Sequence, residues 1–185
     1  METTELLAYS FFAVFTANAV LMRSAGLDSV DVGTRGTRNL LPLSLGTAFS
    51  ALATSIIVGG ILALTGPSTL LDATLTVLVS LFVSYAVDAV FHLLGDKKER
   101  KWLMFNSAVC GIVLLARASS TEFVKSLIYT ALFSVSVAVT YAVIAHLRED
   151  MREHDIPHAF RGAPSFLILL GLCAMALLGF EGVSF

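Results

Sequence analysis

The stretches LLAYSFFAVFTANAVLM, residues 6–22, and WLMFNSAVCGIVLLA, residues 102–116, decide how this chain folds. Both are apolar, both are shorter than the other apolar runs, and each carries one asparagine, Asn18 or Asn106, at a matching place. A membrane span takes about 20 residues at 1.5 Å each to cross a hydrocarbon core about 30 Å thick, so both runs are expected to be short helices, broken or tilted into protein. Short or interrupted hydrophobic segments that recur in two halves of a membrane chain mark broken helices exposing backbone and polar side chains at a central site.

Working outward, the 185 residues are 56% hydrophobic and 14% charged, with a mean hydropathy of +0.83. That composition lies outside the range of soluble domains and implies an integral membrane protein. Apolar runs between charged punctuation predict six helices, over 6–22, 40–64, 73–94, 102–116, 123–146 and 163–180. The fold class expected is therefore all-α, one membrane domain over 1–185, with halves of about 1–95 and 96–185. Strands of a barrel, at about 10 alternating residues, do not fit these runs.

Ten of the twelve Lys and Arg residues follow the first, third and fifth helices: Arg23, Arg35 and Arg38; Lys97, Lys98, Arg100 and Lys101; Arg148, Arg152 and Arg161. Only Arg117 and Lys125 fall in the link between helices four and five. The positive-inside rule then puts the odd-numbered links in the cytoplasm and both termini outside, in an inner (cytoplasmic) membrane. A net charge of −2 with no basic run beyond these loops gives no support for nucleic-acid binding. Residues 6–15 with Ala17-Asn18-Ala19 have the outline of a secretory leader, but the preceding stretch holds Glu2 and Glu5 and no cation, so a retained helix is expected.

The halves align at an offset near 88, with Asn18-Ala-Val20 loosely repeated as Asn106-Ser-Ala-Val109 and the Ser/Thr-rich second helix matching the fifth. Three helices per half means that the second half enters from the opposite side, an inverted repeat. On the third helix Asp72, Thr76, Ser80, Ser84, Asp88 and His92 recur every four residues, and shorter stripes run along helices two (Ser44, Thr47, Thr54, Ser55) and five (Thr130, Ser134, Tyr141). Small hydroxyl residues of this kind ordinarily serve helix contacts in membranes. Asp88 is different, because an acid inside a span costs about 3 kcal/mol and has a partner or a role, so Asn18, Asn106 and Asp88 are candidates for a polar or ion path.

Other chemistry is weaker. Residues 148–162 hold Glu149, Asp150, Glu153, His154, Asp155 and His158, but Pro157 separates the histidines and a juxtamembrane loop is ordinarily charged, so a metal cluster is not favoured. No Ser-His-Asp set is singled out, and neither Gly59-Gly60 nor Gly66-Pro67 has the form of a phosphate loop. Cys110 and Cys173 lie inside predicted helices, where small buried side chains are the ordinary reading and no disulfide framework is indicated.

Several stretches carry a resemblance. Arg148-Glu149, Asp155-Ile-Pro157, Phe160-Arg161-Gly162, Gly171-Leu172 and Gly179-Phe180-x-Gly182 at the end, with Asn18-x-Val20-Leu21, Gly26-Leu27 and Gly46-x-x-Phe49 at the front, resemble the Rnf/Nqr membrane-subunit family. The chain is most similar to the A subunit of Rnf and the E subunit of Nqr. The resemblance implies six helices, an inverted repeat, outward termini and two half-helices meeting near mid-bilayer. It also implies a homologous partner subunit of opposite topology, a [2Fe-2S] cluster held by two cysteines from each, and electron transfer coupled to Na+ or H+ movement. The family's ligand cysteines are expected directly after Gly26-Leu27 and directly after Asn106. This chain has Asp28 and Ser107 there. Soft thiolates hold such clusters, so a carboxylate and a hydroxyl depart from the pattern, and Cys110, about 4.5 Å further along the helix, is the remaining candidate metal ligand, close to Ser107 without being equivalent.

Two function classes follow. The first is a divergent membrane subunit of an Rnf/Nqr-like ion-translocating oxidoreductase, an electron-relay or non-catalytic scaffold with no cofactor expected in this chain itself. The alternative is a repurposed small cation or solute transporter lined by Asn18, Asp28, Asn106, Ser107 and Asp88. Dependence on partner subunits separates them.

Overall fold

The computed structural model describes Asn18, Val20, Leu21, Ala25, Gly26, residues 40–66, 69–94, 107–120, 122–153, Pro157 and 162–179. Among the described residues there are five helices and no strand: α1 Leu40–Thr65, α2 Thr69–Leu94, α3 Ser107–Ser119, α4 Phe123–Glu153 and α5 Ala163–Leu178. Three stretches, Leu41–Thr65, Leu70–Val90 and Phe123–Met151, are long and apolar enough to cross a membrane, and α3 and α5 are shorter apolar helices.

Local chemistry sets the ends. Pro42 sits in the first turn of α1, where a missing N–H costs nothing. The helix stops at Gly66, whose φ of 86° suits a residue without Cβ and whose N–H donates to the Leu62 carbonyl at 2.9 Å. Gly162, with φ 93°, precedes α5, and Pro164 lies in the first turn. α4 has 31 residues, about 46 Å, more than the hydrocarbon core requires.

The predicted boundaries shift where charge was read as a stop. α2 starts at Thr69 instead of 73, because Asp72 in its first turn favours the positive end of the helix and pairs with Arg117. α4 runs on to Glu153 instead of 146, since loss of hydropathy marks the edge of a bilayer and not the end of a helix. The larger correction is at the front. The expected helix over 6–22 does not reach its predicted end: Asn18 is non-helical, and Val20 and Leu21 are in a turn. Asn18 Oδ1 accepts the N–H groups of Val20 and Leu21, both at 3.1 Å, a local side-chain bond that competes with the helical ladder.

α1 packs on α4, α2 and α3, while α3 packs on α4 and α2. The interior is unusually polar: Thr47, Ser50, Thr54, Ser55, Thr76, Ser80, Ser84, Ser126, Thr130, Ser134, Ser136 and Thr140 are all buried. Many bond back to their own helices, as Thr54 Oγ1 does to the Ser50 carbonyl at 2.7 Å and Thr76 Oγ1 to the Asp72 carbonyl at 2.7 Å. Thr130 also reaches across to Ser55 at 3.2 Å. Leu41, Phe49, Leu70, Leu78 and Phe82 point outward instead. Small hydroxyl residues inside and large apolar ones outside is the arrangement of helices packed within lipid. Gly59 gives close approach, with the Phe123 ring 2.5 Å from where a Cβ would stand.

Candidate central site at the start of a half-helix

α3 has 13 residues, about 20 Å, so it covers roughly two thirds of a bilayer core. A short link joins it to α4 and the two run antiparallel, which sets its first residue, Ser107, beside the middle of α4. Val137 is the central residue of the apolar stretch Phe123–Met151.

The Ala25–Gly26 turn docks on that first turn of α3. Gly26 N–H donates to Ser107 Oγ at 2.8 Å. A Cβ on Gly26 would lie 2.6 Å from Ala108 Cβ and 2.9 Å from the Tyr141 hydroxyl, and φ at Gly26 is 84°, so both space and backbone require glycine there. Ala25 Cβ packs directly against Gly111. Ser107, Ala108 and Gly111 form one face of α3, and the absence of a side chain at positions 26 and 111 lets the two backbones meet.

Asn18 fixes the other end of this segment. Its Nδ2 donates to Thr140 Oγ1 at 2.6 Å, while Thr140 Oγ1 donates to the Ser136 carbonyl at 2.9 Å. Asn18 is 2% exposed, so its amide is satisfied by protein: one side carries two backbone donors and the other a hydroxyl. Thr140 and Tyr141 lie three and four residues past Val137, about 5–6 Å along the axis. A partly open cavity of ≈ 320 Å³ adjoins them, lined by Asn18, Leu21, Thr140 and Ile144, and by Cys173 and Leu177 from α5.

Of the residues expected at a site, Asn18 and Ser107 are each bonded across the segment junction, to Thr140 and Gly26. Asp28 and Asn106 lie outside the described residues, as do His154, Asp155 and His158; the side chain of His92 does too. Cys110 is half-buried and its thiol meets the Ser80 side chain of α2. The contacts Asp72–Arg117 and Ser80–Cys110 give the antiparallel register of α2 on α3, which sets residues 82–83 level with Ser107. Asp88, half-buried, is five to six residues further, about 8 Å beyond that level. Thr140, Tyr141 and Ala108 were not expected as site residues. Tyr141 stood out in the sequence only as part of a packing stripe.

An iron-sulfur cluster needs thiolates, and the described groups around Ser107 are a hydroxyl, a backbone N–H and a phenol. Ser107 Oγ already accepts the Gly26 N–H. This set does not fit a cysteine-ligated cluster. Among the described residues no group of three or more His, Cys, Asp or Glu side chains could hold a metal ion.

No protein-family model matches the chain. It is 33% identical over 114 residues to the A subunit of the ion-translocating oxidoreductase complex of Syntrophotalea carbinolica, covering 62% of this chain and 58% of that protein. It is 36% identical over 78 residues to the corresponding protein of Pasteurella multocida, covering 42% and 41%, and 31% identical over 114 residues to that of Glaesserella parasuis, covering 62% and 58%. The chain thus spans about half the length of the curated relatives it matches. These relatives support the Rnf/Nqr membrane-subunit family.

Proposed function

We propose, on the premise of this likeness to the A subunits of ion-translocating oxidoreductase complexes, that the chain is an integral membrane subunit of an Rnf/Nqr-like electron-transport complex that moves Na+ or H+. The observation that carries it is the junction of the Gly26 turn with Ser107 at the start of the half-helix α3, near the middle of the apolar span. Two interrupted segments facing one another there are the arrangement from which inverted-repeat membrane proteins build a central site. In this reading the chain has six spans as two inverted repeats and both termini outside the inner membrane. Its partners are a homologous subunit of opposite topology and the other members of the complex.

Asp28 and Ser107 occupy the central position, with Asn18, Asn106 and Asp88 contributing to a polar path. With a carboxylate and a hydroxyl in place of the thiolates, the chain serves as scaffold and ion path, and electrons take another subunit. A protein of this kind is stable only within its assembly. The test is the abundance and half-life of the chain in membranes made with and without the neighbouring subunits. Loss in their absence is expected; equal persistence of a monodisperse chain alone would favour the small-transporter reading.

A further inference from the structure

The cavity of ≈ 320 Å³ lies between α4 and α5, walled by Val139, Val143 and Ile144 on one side and by Cys173, Ala176 and Leu177 on the other. No described helix lies in close backbone contact with α5 along its length. One turn beyond Ile144, the Arg148 guanidinium of α4 stacks on the Phe166 ring of α5, 4.8 Å from its centroid. The polar residues of the lining, Asn18 and Thr140, are bonded to one another at 2.6 Å. A buried water needs about two to four polar partners, so this wall suits hydrocarbon and not water.

Depth in the membrane identifies the occupant. Measured from Val137, at the centre of the apolar stretch Phe123–Met151, Val139 and Ile144 stand about 3 and 10 Å along the axis and Arg148 about 16 Å. Half of a hydrocarbon core is about 15 Å, so the cavity lies at the level of acyl chains and Arg148 at the level where headgroups begin. Stacking on Phe166 uses the face of the guanidinium and leaves its N–H groups in the plane, the fork that suits phosphate oxygens. Glu149 and Asp150 lie about 100° and 200° away round the helix. We propose that the gap between α4 and α5 is a site for one anionic phospholipid, its phosphate on Arg148 and the inner part of one acyl chain in the cavity. In the proposed topology the lipid comes from the cytoplasmic leaflet, which carries the anionic headgroups.

The test places the full chain, with the subunits that copurify, in phosphatidylcholine vesicles holding a trace of phosphatidylglycerol that carries a diazirine near the end of one acyl chain. Phosphatidylcholine bearing the same chain is the comparison probe. After illumination, peptide mapping is expected to find label on residues 139–144 and 173–177, about fivefold more from the anionic probe. The outward face of α2 at Leu78 and Phe82 should take label equally from both. Arg148→Gln is expected to bring labelling of the cavity by the anionic probe down to the level of the neutral one, and Arg148→Lys to keep the preference. Cys173→Phe, which fills the cavity, should remove the label there and spare α2. Equal labelling of the cavity by the two probes in the parent, or a preference that survives Arg148→Gln, would overturn the anionic site. A cavity that neither probe labels while α2 is labelled would mean that protein covers the gap, and would overturn the proposal outright.

Discussion

Gly26 donates its backbone N–H to Ser107 Oγ across 2.8 Å, joining a turn near the start of the chain to the first described residue of α3, 81 positions later. This bond has no counterpart in helix packing by apolar side chains, because it engages a backbone group that an unbroken helix would have used internally. It is available only because position 26 has no Cβ.

Gly26→Ala should therefore destabilise the chain by about 2 kcal/mol or more, through a strained φ and through overlap with Ala108 and Tyr141. Thermal unfolding in detergent, read by loss of the monodisperse peak, measures this. An alanine variant as stable as the parent would mean that the turn does not dock as described.

Asn18→Ala and Thr140→Val separate two roles of the buried amide. The valine removes one side-chain bond, an effect of about 1 kcal/mol. The alanine also strands the N–H groups of Val20 and Leu21, for a loss of about 2–4 kcal/mol. Unfolding titrations with sodium dodecyl sulfate should rank the alanine variant clearly below the valine variant; equal losses would contradict the turn-forming role of Asn18.

Arg117 Nε lies 2.6 and 2.8 Å from the two carboxylate oxygens of Asp72, joining the last turn of α3 to the first turn of α2. With side chains only 8% and 23% exposed, the pair is shielded from water. Arg117→Ala alone should cost about 3 kcal/mol by leaving a half-buried carboxylate, and Asp72→Ala in that background should recover part of it. Additive losses in the double variant would show that the two charges act independently.

Sequence and structure agree most where the signal is physical length. The long apolar runs became α1, α2 and α4, and of the run over 102–116 the described part, from Ser107 on, is helical and continues to Ser119. Composition could not show that Asn18 would turn its amide onto its own backbone, since the same residue pattern also suits a buried polar position within a helix. Nor could it find Thr140 and Tyr141, which read as one more stripe of helix contacts until Asn18 and Gly26 were seen against them. Cys110 was legible as a residue near Ser107, but its direction, toward Ser80, depends on how α2 lies on α3.

Orientation is checkable with single cysteines. In a background carrying Cys110→Ala and Cys173→Ala, Glu122→Cys, in the exposed link before α4, should react with an impermeant maleimide added outside the cell. Asp150→Cys, exposed near the other end of the helix, should react only after the membrane is opened. The reverse pattern would invert the proposed topology.

The most direct test of the central claim is a mild-detergent pull-down of the tagged chain from its native membrane, with every copurifying protein identified by mass spectrometry. Flavin-bearing and iron-sulfur subunits, together with a homologous membrane subunit, are the predicted companions. Recovery of the chain alone, monodisperse and stable, would contradict membership of an electron-transport complex and point to a small transporter instead.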